Sequence, residues 1–140
     1  MLSDMVKNMR GGYIMSKLPN YIGLFFDKSI VEKAPCGYTY KIIDNPHITF
    51  HFRPSEDEIP YELIGKSFTV KIVGFGLNEK AAGWRVELPE ELKPFYKGQK
   101  NVHITTSVSE IGKPVDTGSI ERWAPVPEFE ITGEFNGFYA

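Results

Sequence analysis

All three histidines of this 140-residue chain lie in two short stretches that nearly repeat each other. The stretch "NPHITFHF" at 45–52 contains His47 and His51, and "NVHITTSV" at 101–108 contains His103. Imidazole has an unperturbed pKa of about 6.5, so two histidines can supply a general base and a general acid near neutral pH. The repeated Asn-x-His-Ile-Thr pattern therefore predicts acid–base chemistry.

Each stretch has the composition of a β-strand with one apolar and one polar face. Successive side chains of a strand point to opposite faces, so each polar face combines imidazole with hydroxyl groups. The residues predicted on these faces are His47, Thr49 and His51 in the first stretch and His103, Thr105 and Ser107 in the second. Facing each other across a cleft, one imidazole can activate water, the other can protonate a leaving oxygen, and the hydroxyls can hold a phosphate oxygen. These groups suit phosphodiester cleavage without a metal or another cofactor.

The same residues have other interpretations. "HITFH" has the His-x-x-x-His spacing of helical zinc sites. On a strand, however, residues four apart lie about 13 Å from each other, and Pro46 with the β-branched and aromatic filling favours a strand, so no metal site is predicted. His51 is either a substrate contact or an exposed residue at a strand end. The alternative for the whole repeat is a coincidence within a structural β domain.

The rest of the chain predicts a β-rich α+β domain with mostly antiparallel strands and few short helices. β-Branched and aromatic residues mark the strands "YIGLFF", "YTYKII", "HITFHF", "FTVKIVGFG", "WRVEL", "VHITTSV" and "FEITGEF". Short helices are predicted at Lys28–Lys33 after an Asp27 cap, at Ser55–Leu63 with Glu58 at the capping-box position, and at Glu90–Tyr96. Pro60 and Pro94 are expected to restrict the last two to a turn or two.

Composition and charge limit the classes of function. A chain of 140 residues is expected to form one domain, here at residues 15–140. Its 16 basic and 18 acidic residues are dispersed and give a formal charge of −2, so no electrostatic footprint for double-stranded DNA is expected. No apolar run approaches the ~20 residues of a membrane span, and the single cysteine, Cys36, fits a cytoplasmic location. Residues 1–14 are interpreted as a leader, with a native start at Met15 as a hypothesis.

The paired motifs His47-Ile48-Thr49 and His103-Ile104-Thr105 resemble the signature of the 2H phosphoesterase superfamily, closest to its tRNA-ligase-type cyclic phosphodiesterase and LigT-like branch. "NYIGLFFD" is similar to the first core strand of that family, and "FTVKIVGFGLNEKAAGWRVELP" to the hairpin before the second motif. "HITTSVSEIGKPVDTGS" is similar to the second motif and the loop that follows it. The resemblance covers most of residues 20–135.

This resemblance implies a bilobal fold of two antiparallel sheets with pseudo-twofold symmetry, in which the two motifs face each other across a central cleft. It also implies that His47 and His103 are the general acid and base, in an order that the sequence leaves open. Thr49 and Thr105 are implied as phosphate-binding residues.

Further substrate contacts are predicted near the second motif. Lys113, Ser119 and Arg122 belong to a long loop predicted at Gly112–Glu128, where they either close over a phosphate or stay solvated. Five aromatic residues are candidates for stacking a base or, alternatively, for the core: Tyr21, Tyr38, Tyr40, Trp84 and Trp123.

Three functions are compatible with these residues. The leading hypothesis is a monomeric, metal-independent phosphodiesterase that acts on a small nucleotide or an RNA end, first of all on a 2′,3′-cyclic phosphate. The second is a phage-type hydrolase of cyclic nucleotide or oligonucleotide defence signals, and the third is a non-catalytic nucleotide- or RNA-binding module. The intact His and Thr of both motifs favour an enzyme, because binding alone does not need a matched acid–base pair.

Overall fold

The computed structural model describes residues 18–34 and 39–139. The predicted leader at 1–14, Met15, Cys36 and Tyr38 lie outside these residues. The described part contains one α-helix, α1, and seven strands, together with 3-10 turns at Glu56–Glu58, Lys93–Phe95 and Pro114–Ser119. The bounds are β1 Tyr21–Phe25, α1 Lys28–Lys33, β2 Lys41–Ile42, β3 His47–Phe52, β4 Ser67–Leu77, β5 Ala81–Glu87, β6 His103–Val108 and β7 Trp123–Phe138.

The seven strands form one sheet in the order β2-β6-β5-β4-β7-β1-β3, and each neighbouring pair is antiparallel. The predicted β-rich antiparallel architecture with few short helices is therefore confirmed. The hydrogen-bonded ladder runs through all seven strands, so the division into two sheets with pseudo-twofold symmetry stays a prediction. Within the described residues, no helix is both long enough and apolar enough to span a membrane.

One face of the sheet carries the hydrophobic core. In β4, Val70 and Ile72 are buried while Thr69 and Lys71 point outward, as the alternation of the sequence predicts. Helix α1 and the segments at 55–66 and 88–96 cover this core face, and each fully buried aliphatic side chain contributes roughly 1.5–3 kcal/mol. The two histidine strands contribute Ile48, Phe50 and Ile104 to this core.

Of the three predicted helices, one forms as an α-helix and two form only 3-10 turns. Helix α1 has the predicted bounds, and the Asp27 carboxylate accepts the Ser29 amide at 2.8 Å as its cap. The capping box of Ser55 and Glu58 forms and starts a 3-10 turn followed by turns, so the predicted restriction to a turn or two is confirmed, while no α-helix forms at Ser55–Leu63. In Glu90–Tyr96, likewise, only a 3-10 turn at 93–95 forms. Prolines at 60 and 94 limit both segments.

The loop predicted at Gly112–Glu128 is wrong over its last part, 123–128, because β7 begins at Trp123. Pro125 and Pro127 suggested a loop, yet this part of β7 pairs with β4 alone, and β1 joins β7 only from Glu134 onward. Proline is tolerated where one edge of a strand is free, because no ladder partner needs its missing N–H.

Candidate active site between the two histidine strands

A cavity of about 620 Å³ lies where β3 and β6 approach each other. His47 and Thr49 of β3 line one side, and His103 and Thr105 of β6 line the other. The turn at 96–99 and the start of the 3-10 segment at 114–115 complete the wall. The volume lies within the range of small-molecule sites.

Both cavity histidines are fixed by the same backbone contact. The Nδ1 atom of His47 lies 2.7 Å from the carbonyl oxygen of Asn45, and Nδ1 of His103 lies 2.7 Å from that of Asn101. A carbonyl can only accept, so each Nδ1 carries the hydrogen, and Nε2 of each neutral ring keeps a free lone pair. The repeated Asn-x-His therefore sets one tautomer in both rings through backbone carbonyls.

Burial lowers the pKa of both imidazoles below the ordinary 6.5, against the opposing effect of the carbonyl hydrogen bonds. The pKa of His47 is lowered further by the positive charge of protonated His103. A proton on one ring therefore opposes a proton on the other.

An aromatic wall explains the burial of His47. The Tyr21 ring stacks on the imidazole with centroids 4.8 Å apart, and Phe25 lies 5.5 Å away on the neighbouring strand. Phe138 stacks on Tyr21 at 5.1 Å. Burial raises the pKa of Tyr21 to about 12, so this phenol stays neutral where the imidazoles titrate.

The two histidine strands contain matching β-bulges. Opposite β1, Thr49 pairs with Gly23 and His51 with the next residue, Ile22, so Phe50 has no partner in the ladder. Each bulge adds one residue to its strand and shifts the alternation of side chains beyond it.

The second bulge has the same form. Opposite β5, Thr105 pairs with Gly83 and Ser107 with Ala82, which leaves Thr106 unpaired. A Cβ atom on Gly83 would lie 2.5 Å from the Ile104 carbonyl oxygen, and one on Gly23 would lie 2.0 Å from that of Ile48. Only glycine fits opposite either threonine.

The bulges overturn the predicted position of two candidate residues. Beyond the first bulge it is Phe52, not His51, that lines the cavity, and Nε2 of His51 lies 3.8 Å from a Glu58 carboxylate oxygen. Beyond the second bulge, Ser107 is fully buried, and its hydroxyl accepts the Tyr40 amide at 3.2 Å. The expectation that His51 and Ser107 share the cavity face is wrong, because strict alternation assumed an unbroken strand.

The two motif threonines differ in their surroundings. Thr105 is buried, with its Oγ1 2.8 Å from the Pro114 carbonyl oxygen and 2.7 Å from Oγ1 of Thr117. Thr49 is half-buried, and its hydroxyl has no partner among the described residues. Of the two motif threonines, Thr49 is the one whose hydroxyl can meet a ligand without losing a contact to the described residues.

The predicted contacts in the segment after β6 lie outside the cavity. Lys113 is exposed, and its backbone N–H donates to the Asp116 carboxylate at 2.8 Å, which begins the 3-10 segment. Ser119 and Arg122 are exposed and do not line the cavity. Pro114 and Val115 line it instead.

Of the described aromatic candidates, Tyr21 alone lines the cavity. Trp84 is fully buried in the core, and the Tyr40 hydroxyl donates to the Asn78 carbonyl at 2.6 Å away from the site. Trp123 is half-buried against Gly76, where an added Cβ would lie 2.9 Å from the indole ring. Trp84 and Trp123 therefore act in packing.

Sequence reasoning missed the turn at 96–99. Its backbone is attached to β3, because the N–H of Lys97 donates to the Phe50 carbonyl at 2.6 Å. The Tyr96 hydroxyl donates to the Gln99 carbonyl, and a Cβ on Gly98 would lie 2.7 Å from the Thr49 carbonyl oxygen. In the sequence, only the Lys97-Gly98 pair before the second motif indicates a turn here, and it does not reveal that the turn contacts the first motif.

Comparison with protein-family models gave no match to this chain, and comparison with curated proteins gave no match either. Within residues 18–34 and 39–139, no group of three or more His, Cys, Asp or Glu side chains is placed to hold a metal ion. The function proposed below therefore rests on the geometry of the cavity.

Proposed function

We propose that this protein is a metal-independent phosphodiesterase that hydrolyses a small nucleotide phosphodiester, first of all a 2′,3′-cyclic phosphate, by acid–base catalysis with two histidines. The observation that carries the proposal is the pair His47 and His103 in one cavity, each with Nδ1 held by a backbone carbonyl and Nε2 left for proton transfer. Repulsion between two protonated rings supports a division of roles, with one ring neutral and the other protonated.

We assign the base to His47 and the acid to His103, because a proton on His103 opposes a second proton on His47. Its Nε2 takes a proton from water as the water oxygen attacks phosphorus. One ring P–O bond breaks, and Nε2–H of His103 gives its proton to the departing sugar oxygen. The products are a phosphomonoester and a free hydroxyl, and the two histidines exchange protonation states.

The proposal includes the pseudo-twofold arrangement of the fold. The strand set β3-β1-β7 would correspond to β6-β5-β4, with the axis between β7 and β4. The matching bulges, the glycines opposite both threonines and the common His–carbonyl contacts support this relation. Two related halves would explain why one motif occurs twice.

The test uses purified protein with a chelator present and a panel of 2′,3′-cyclic nucleotides, a cyclic-phosphate-ended RNA and cyclic di- and trinucleotides. His47→Ala and His103→Ala are each expected to lower kcat by about 10²–10⁴-fold, the usual contribution of one acid or base. His51→Ala is the matched control, because this third histidine does not line the cavity.

Equal activity of wild type and either cavity variant would overturn the site assignment. Activity lost to the chelator and restored by zinc or manganese would overturn metal independence. Activity confined to the cyclic di- or trinucleotides would assign the signal-degrading alternative instead of the mononucleotide or RNA-end substrate.

A further inference from the structure

The side chains that line the cavity include basic groups but no acidic group among the described residues. Lys97, an exposed residue, lines the cavity together with the two imidazoles of His47 and His103. Among the described residues, none of those that line the cavity is acidic, and Lys97 has no carboxylate partner. A lining that combines a lysine with two imidazoles and has no acidic residue suits an anion.

The backbone of Lys97 is held in place by contacts with β3. The bulge at Phe50 leaves its carbonyl outside the β1 ladder, and this carbonyl accepts the Lys97 N–H at 2.6 Å. Tyr96 closes the turn through its hydroxyl, and Gly98 packs against the Thr49 carbonyl with no room for a side chain. Lys97 is therefore held beside Thr49.

Thr105 cannot donate a hydrogen bond to a phosphate as readily as Thr49 can. Its hydroxyl has a single hydrogen, and the Pro114 carbonyl 2.8 Å away can only accept, so Thr105 donates to Pro114 and accepts from Thr117. Donation to a phosphate would leave the Pro114 carbonyl without this partner, which costs free energy where the group is shielded from water. Thr49 carries no such cost.

We propose that the substrate phosphate is held from the β3 side alone, by the Thr49 hydroxyl and the Lys97 ammonium group, whereas Thr105 serves to fix the segment at 114–117. The inference rests on the proposed function, since it names the residues that bind the scissile phosphate of that reaction. It departs from the prediction that Thr49 and Thr105 are equivalent.

The experiment measures two quantities for each variant: Kd for inorganic phosphate by NMR titration, and KM and kcat for a 2′,3′-cyclic nucleotide. Lys97→Gln is expected to raise Kd and KM by about tenfold or more, because a hydrogen bond with a charged partner is lost. Lys100→Gln is the matched control, since Lys100 is exposed three residues along the chain and does not line the cavity.

The two threonines are compared in the same way. Thr49→Val is expected to raise Kd for phosphate by about fivefold to tenfold without changing the melting temperature. Thr105→Val is expected to lower the melting temperature and to leave this Kd within about twofold. Equal weakening by both, or wild-type binding in Lys97→Gln, would overturn the inference, as would a wild-type protein that does not bind phosphate.

Failure of this inference can be told apart from failure of the proposed function. Hydrolysis that depends on both histidines but not on Lys97 would keep the function and reject the subsite. Phosphate binding that depends on Lys97 and Thr49, in a folded protein that cleaves nothing on the panel, would keep the anion subsite and reject the enzyme.

Discussion

Substitution of Gly23 by alanine tests whether the close contact of β1 and β3 positions the histidine. A Cβ atom on Gly23 would lie 2.0 Å from the Ile48 carbonyl oxygen, and real Cβ contacts essentially never fall below 3.0 Å, so β3 must move by about 1 Å. Both flanking residues of Ile48 line the cavity, and a 1 Å misplacement of a catalytic group can cost about 10²-fold in rate. Overpacking is further expected to destabilise the protein by about 1–3 kcal/mol.

The assay combines thermal denaturation, kcat on the best substrate of the panel, and NMR of the imidazole nitrogens. Gly74→Ala is the matched control, because a Cβ there has its nearest neighbours at 3.3 Å and requires shifts of only a few tenths of an ångström. Gly83→Ala, with its closest contact at 2.5 Å, is expected to have an intermediate effect. If Gly23→Ala matches Gly74→Ala in melting temperature and in His47 chemical shifts, the argument for steric positioning is refuted.

Three further predictions concern the same site. Tyr21→Ala should raise the pKa of His47 towards 6.5, because the stacked ring that buries it is removed, while the pKa of His103 serves as an internal reference in the same NMR titration. Since the folded-state pKa values of both histidines lie below that of the unfolded chain, the unfolded state binds more protons below pH ~6.5. The melting temperature should therefore fall as the pH is lowered from about 7 to about 5. A double His→Gln variant should show a smaller fall, and an equal dependence of the melting temperature on pH in both proteins would contradict this. Thr117→Val should destabilise the protein by about 1–2 kcal/mol in a urea titration, because the hydrogen bond to Thr105 is lost. Thr117→Ser is the control, since its hydroxyl keeps this bond. An unchanged urea midpoint for the valine variant would show that this buried pair contributes nothing to stability.

Local patterns in the sequence predicted much of the fold. Alternation in β4 placed Val70 and Ile72 in the core, and β-branched and aromatic runs identified the strands that pair. The repeated triplet located the two histidines that share a cavity. These successes depend on side-chain periodicity, which neighbouring residues determine.

The missed features depend on contacts between segments far apart in the chain. Nothing in "HITFHF" signals that Phe50 leaves the ladder, because the bulge is set by Gly23 on another strand. The hydrogen bonds of Thr105 come from a segment that was predicted as an open loop, and Lys97 meets β3 through backbone groups. Backbone contacts of this kind leave little trace in side-chain types.

The bulges also explain how two nearly identical motifs can form an asymmetric site. The carbonyls of the two unpaired bulge residues have different partners: the Phe50 oxygen accepts Lys97 N–H at 2.6 Å, and the Thr106 oxygen accepts Ile43 N–H at 3.1 Å. The first contact fixes the backbone of Lys97, a residue that lines the cavity, whereas the second attaches the edge strand β2 beside β6. Since hydrolysis needs a base and an acid in different protonation states, unequal surroundings for equivalent motifs serve the proposed reaction better than strict symmetry.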